Sequence, residues 1–169
     1  MRTSIVGLGA GTTLALLILG AIAQSGEEKV ALGKLPKPVI HAVKARFKGA
    51  QVTGASQETE DGKSVYEVTI RHDGQKADVT LSPQGEILLI EKEIVAQNLP
   101  EMVSKALEER YPKATYRVAE QIIKVEREKE KLAYYEVLLA TSERNLLEVQ
   151  VTVEGKIVNE EKKASDKDK

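Results

Sequence analysis

The sequence predicts an α+β protein of two tandem repeats, each a helix followed by a four-stranded antiparallel sheet, with the helices on one sheet face. Three observations carry this. The segment LPKPVIHAVKARFKGA, Leu35 to Ala50, returns as LPEMVSKALEERYPKA, Leu99 to Ala114. The triplet Tyr66-Glu67-Val68 returns as Tyr135-Glu136-Val137, and Gly85-Glu86-Ile87-Leu88 as Gly155-Lys156-Ile157-Val158. Finally, the three matches come in the same order, with an offset that grows by about six residues between helix and last hairpin, so the second copy has the longer first hairpin.

Each copy opens with a helix. Val39, Val43 and Phe47 recur every fourth residue beside Ala42, and Val103, Leu107 and Tyr111 do so beside Ala106, which gives each helix one apolar stripe. Pro36 and Pro100 fall near the first turn, where a missing N–H costs little; Gly49 and Pro112 supply the stops. Strands follow at a period of two: Tyr66, Val68 and Ile70, then Ala77, Val79 and Leu81 after the Asp73-Gly74 turn, then Ile87 to Ile90 after Ser82-Pro83-Gln84-Gly85. The second copy repeats this with Tyr135, Val137 and Leu139, with Leu147, Val149, Val151 and Val153, and with Ile157-Val158 after Glu154-Gly155. The first strand of each copy is placed at Val52 to Glu58 and Tyr116 to Val125. Lys124 to Glu136 alternates in charge and reads as an extended hairpin with Glu128 to Lys131 at its tip; the helix-forming composition of those four residues keeps a helix as the alternative.

The N-terminus reads as an address. Arg2 is followed by no charge until Glu27, and the run holds Leu14 to Leu19 and ends Ala21-Ile22-Ala23, the form of a secretory signal peptide cut between Ala23 and Gln24. An uncleaved anchor is the alternative and needs the glycine- and threonine-containing residues 7–13 to reach spanning length. The expected organisation is a signal peptide at 1–23, a flexible leader at 24–34, repeat 1 at 35–94, repeat 2 at 95–161 and a charged, disordered tail at 162–169. After signal cleavage no membrane association is expected, and the oligomeric state is left open.

Composition removes several functions. There is no Cys and no Trp, and the formal net charge is −1. A disulfide framework, a thiolate zinc site and a cysteine nucleophile are excluded, and the charge balance leaves no electrostatic footprint for nucleic acid. His41 sits off the apolar stripe with Lys105 as its repeat counterpart, which argues for a solvent-facing residue; His72 precedes the Asp73-Gly74 turn and reads as a hairpin end. Glu58, Glu60 and Asp61 before Gly62 lack a cation-loop pattern. Ser56, Ser64, Ser82 and Ser142 carry no nucleophile-elbow motif. No catalytic residue, cofactor-binding residue or metal ligand is therefore assigned, and no cofactor is expected.

The doubled helix ending in Phe47 or Tyr111, the Tyr-Glu-Val strands and the closing glycine-turn hairpins resemble the PepSY-like family, and more narrowly its tandem modules with the architecture of the beta-lactamase inhibitor protein. The resemblance covers about Leu35 to Glu161. It implies a secreted or periplasmic, non-enzymatic module that binds or inhibits proteases or other exported proteins. The chain departs from the disulfide-bonded inhibitor in having no cysteine. From the residues themselves, the sheet face away from the helices is the candidate protein-binding surface: Tyr66 and Tyr135 are expected to face the helices, which turns Glu67 and Glu136 outward beside Tyr134 and Leu138. That face could equally be covered by the second sheet or by a dimer partner, and an edge strand offers a second route to a peptide. The expected partner is an exported or envelope protein, not nucleic acid. A structural or sensory envelope module is the alternative.

Overall fold

In the computed structural model, which describes residues 28–60 and 62–163, every strand pairs antiparallel with its neighbour in sequence. The strands are β1 (Glu28–Lys29), β2 (Gln51–Glu60), β3 (Lys63–His72), β4 (Gln75–Leu81), β5 (Ile87–Ile94), β6 (Thr115–Glu126), β7 (Lys129–Ala140), β8 (Leu146–Val151) and β9 (Ile157–Lys163). Helix α1 (Lys37–Arg46) lies between β1 and β2, and α2 (Glu101–Arg110) between β5 and β6. The expected signal peptide, its cleavage site and residues 164–169 of the expected tail lie outside the described residues; the first two residues of that tail, Lys162 and Lys163, instead belong to β9, where they pair with Leu147 and Leu146 of β8.

The α+β class holds, and the two halves, which at about 65 residues each are expected to share or abut their sheets, share a single one. Leu89 to Ile94 of β5 pair with Lys124 to Ala119 of β6, so β2–β5 and β6–β9 form a continuous nine-stranded sheet with β1. The physical reason is edge chemistry: two separate four-stranded sheets would each leave β5 or β6 unpaired, whereas joining them satisfies both ladders. Two details differ from expectation. Part of the expected leader carries β1 and a 3-10 turn at Leu32–Lys34. Lys124–Glu136 is a hairpin, but its turn is Arg127-Glu128, both at positive φ (49° and 63°), with Lys129 and Glu130 already in β7.

The helices form where the apolar spacing placed them, and each buries one stripe. Val39 and Val43 are sealed beneath α1 with Phe47 just past its end; Val103 and Leu107 are sealed beneath α2. Against α1 lie Val68, Ile70, Ala77, Val79, Leu81 and Ile90; against α2 lie Tyr135, Val137, Leu139, Val149 and Val151. A fully buried Val or Leu contributes about 1.5–3 kcal/mol, so each cluster holds its half against the entropy of ordering it.

A glycine closes each half beneath its helix. Gly85 and Gly155 sit in the β4–β5 and β8–β9 turns at φ +85° and +83°. A Cβ on Gly85 would lie 2.6 Å from the Pro38 carbonyl oxygen, and one on Gly155 2.5 Å from that of Met102. The turns therefore pack directly on the first turns of α1 and α2, and only glycine fits. The long β6–β7 hairpin reaches back over the first half: Arg46 of α1 donates from Nε (2.9 Å) and Nη2 (2.5 Å) to Glu130 Oε1.

Candidate functional site: the helix-free sheet face

Because side chains alternate along a strand, the residues between the core positions point away from both helices. Cross-strand register assembles them into rows. Thr69, Asp78, Glu91, Ile122 and Tyr134 form one row across β3 to β7. Glu93, Glu120, Glu136, Gln150 and Asn159 form the next across β5 to β9. Glu67, Thr80, Leu89, Lys124 and Lys131 flank the first row on one side. Val118, Leu138, Glu148 and Glu161 flank the second on the other.

The four residues singled out from the sequence, Glu67, Tyr134, Glu136 and Leu138, thus share this face, while Tyr66 and Tyr135 pack against the helix-side cores. All four are half-buried. The two histidines lie elsewhere. His41 is exposed on α1. His72 ends β3, with its ring edge-on to Phe47 at 5.8 Å and Nε2 3.2 Å from the Lys48 carbonyl oxygen, so it ties the hairpin to the end of α1.

The middle of the face is nearly sealed although neither helix covers it. Asp78 is 7% exposed, Thr80 6% and Ile122 1%. Ile122 belongs to neither helix-side cluster, so the face carries an apolar point of its own. Bulges at Thr80/Leu81 and Ile122/Ile123 lie in these rows, and bulges bend strands and increase their twist.

The electrostatics of these rows were not legible residue by residue. Burial pushes the Glu91 carboxyl up to about 8, helped by the carboxylates of Glu120, Glu67, Glu136 and Asp78. Burial likewise pushes Glu120 up to about 7; Lys76 opposes this, and Glu136, Asp78 and Glu93 add to it. Glu136 is raised by burial, although Gln150 Nε2 donates to its Oε2 at 2.9 Å and favours its charged form. Lys76 is raised: burial works against its charge, but the bond to Asp78 and the charges of Asp78, Glu120 and Glu67 outweigh it. Its Nζ donates to Asp78 Oδ2 at 2.5 Å, while Asp78 Oδ1 is buried with no hydrogen-bond partner. Composition hid all this, because acids and bases nearly balance over the chain; only a sheet register brings the acids together.

Among the described residues no group of three or more His, Asp or Glu side chains is placed to hold a metal ion, and no helix is long and apolar enough to cross a membrane. A concavity of about 730 Å³ lies apart from this face, between Ala42 and Arg46 of α1, the Gly85 turn and the Arg127-Glu128 turn.

Comparison with known proteins places this architecture. Residues 64–159 match a family model described as beta-lactamase-inhibitor-like, PepSY-like, and residues 38–87 match the model of the peptidase propeptide and YPEB domain. No curated protein matches the chain in sequence. Among solved structures, a DUF2874 family protein from Bacteroides uniformis is similar at TM-score 0.60 and 15% identity, over 75% of this chain and 88% of that one. A "putative periplasmic" protein from Bacteroides eggerthii is similar at TM-score 0.61 and 14% identity, over 75% and 88%. A BLIP-like protein from Bacteroides fragilis is similar at TM-score 0.56 and 17% identity, over 76% and 88%. At these identities the likeness is one of fold.

Proposed function

The chain belongs to the PepSY-like, beta-lactamase-inhibitor-like family, and from that premise we propose that it is a non-catalytic protein-binding module of the periplasm or the secreted fraction. It docks its partner on the helix-free sheet face and acts by occlusion, with no covalent step and no cofactor. The observation that carries this is the face itself: the half-exposed Tyr134 and Leu138 share rows with half-buried carboxylates on a surface neither helix covers. Aromatic and aliphatic anchors ringed by polar groups are the usual composition of a binding patch. The two halves read as tandem copies of one unit, since the glycine-turn-under-helix contact recurs at Gly85 and Gly155. The signal-like N-terminus supports export, as does the fold shared with a "putative periplasmic" protein. The match of residues 38–87 to the peptidase propeptide model favours a protease as the partner class.

The test is capture from native envelope and secreted fractions, with wild-type protein beside the Tyr134→Ala/Leu138→Ala variant. A specific protein held by the wild type and lost by the folded variant supports the proposal, and its activity is then assayed with and without the module. Equal capture by both overturns the sheet face as the docking surface.

A further inference from the structure

Resting on that reading of the sheet face, we propose that the partner presents a lysine or arginine side chain, whose cation seats against Asp78, Glu91 and Glu120. The register makes Asp78 and Glu91 direct cross-strand neighbours, and Glu120 the direct neighbour of both Glu93 and Glu136. Carboxyls gathered this closely resist ionising together, and an incoming cation would favour their charged forms.

A second, independent observation points the same way. Asp78 is more than nine-tenths buried, and its Oδ1 has no partner, because Lys76 is bound to Oδ2. A buried acceptor left unpaired is rare and costly, and an N–H donor from outside would satisfy it. The apolar members of the same row complete the fit. Tyr134 lies on the same row as Glu91, beyond the sealed Ile122, where its half-exposed ring can take the hydrocarbon stem of a long basic side chain while its head meets the acids. The carboxylates are spread over a surface rather than gathered at one point, a geometry that suits an ammonium or guanidinium better than a metal ion.

The probe is hexalysine, with hexaglutamine as the neutral control, titrated into protein purified after expression of the full chain and followed by NMR of side-chain carboxyl carbons. The expected result is a response at Asp78, Glu91 and Glu120 to hexalysine alone. Affinity should fall about tenfold or more in Glu91→Gln/Glu120→Gln and by less than about threefold in Glu143→Gln/Glu154→Gln, which removes two carboxyls from turns. Equal losses in the two variants, or no response at the three carboxyls, would overturn the proposal. The amide substitutions keep side-chain shape and remove repulsion, so loss of folding is not expected; a thermal melt checks this.

Envelope capture separates this proposal from the one beneath it. Capture lost in both Glu91→Gln/Glu120→Gln and Tyr134→Ala/Leu138→Ala supports the cation. Capture kept by the amide variant and lost by the alanine variant refutes the cation and leaves the docking face standing. Capture kept by both refutes the two together.

Discussion

Replacing Glu91 by Gln should stabilise the protein at pH 8 and leave it nearly unchanged at pH 4.5. In the folded protein the Glu91 carboxyl is held near 8, against an ordinary value of 4.5. Between those values the unfolded chain releases the proton and the folded chain keeps it. Stability is therefore fully present below about 4.5 and is lost as pH rises through 8. At about 1.4 kcal/mol per pH unit, the interval from 4.5 to about 8 sets a ceiling of about 5 kcal/mol. Glu91 is only half-buried, and solvent screening of such a group reduces the expected gain to about 2 kcal/mol. Gln is neutral at every pH and close in shape, so the variant should lose this component of the slope. Glu120 remains and keeps a shallower slope in the same direction, between 4.5 and about 7. The assay is urea unfolding at pH 4.5, 6 and 8 at constant ionic strength. Parallel profiles for wild type and variant, or a variant weaker at pH 8, would refute the account of Glu91 as a carboxyl held protonated by burial and neighbouring charge.

Two other expectations concern the backbone. Gly85→Ala and Gly155→Ala should each cost about 2–4 kcal/mol, since the new methyl meets a helix carbonyl and the left-handed backbone is strained for alanine; Gly74→Ala, at φ +80° with open space around it, should cost about 1–2 kcal/mol in the same denaturant melts. Arg127→Asn combined with Glu128→Gly should raise stability by about 1 kcal/mol, because both residues occupy left-handed backbone in a two-residue hairpin for which Asn-Gly is the favoured sequence; a lowered thermal midpoint would count against the turn assignment.

The elements were legible wherever a local rule decides them. The fourfold spacing of Val39, Val43 and Phe47 places α1, and the alternation of Val68 and Ile70 with Glu67 and Thr69 assigns the two faces of β3. Asp73-Gly74 announces its turn by composition, and both residues have positive φ. Arg127-Glu128 adopts positive φ without glycine or asparagine, so its position within the charged run could not be read; pairing of the flanking β6 and β7 fixes it. Small size argued that the halves share or abut their sheets, but which of the two was illegible, because neither β5 nor β6 carries a local mark of which strand it meets. For the site, alternation put Glu67, Tyr134, Glu136 and Leu138 on one face, as found. It could not supply Asp78, Glu91 and Glu120, because their proximity depends on register across three strand pairs.

The sheet order has a kinetic consequence. Each strand's partners are its predecessor and successor in the chain, and most connections between partners are short turns; helices intervene only at β1–β2 and β5–β6. Such a meander searches little conformational space, since closing a short loop loses little entropy and each completed hairpin templates the next. Folding can begin at the Asp73-Gly74 hairpin or within β7–β9 and spread until β5 meets β6, a pairing that must close over residues 95–114 and α2 rather than over a tight turn. The seam between the halves is then expected to close late, and substitutions there to speed unfolding more than they slow folding.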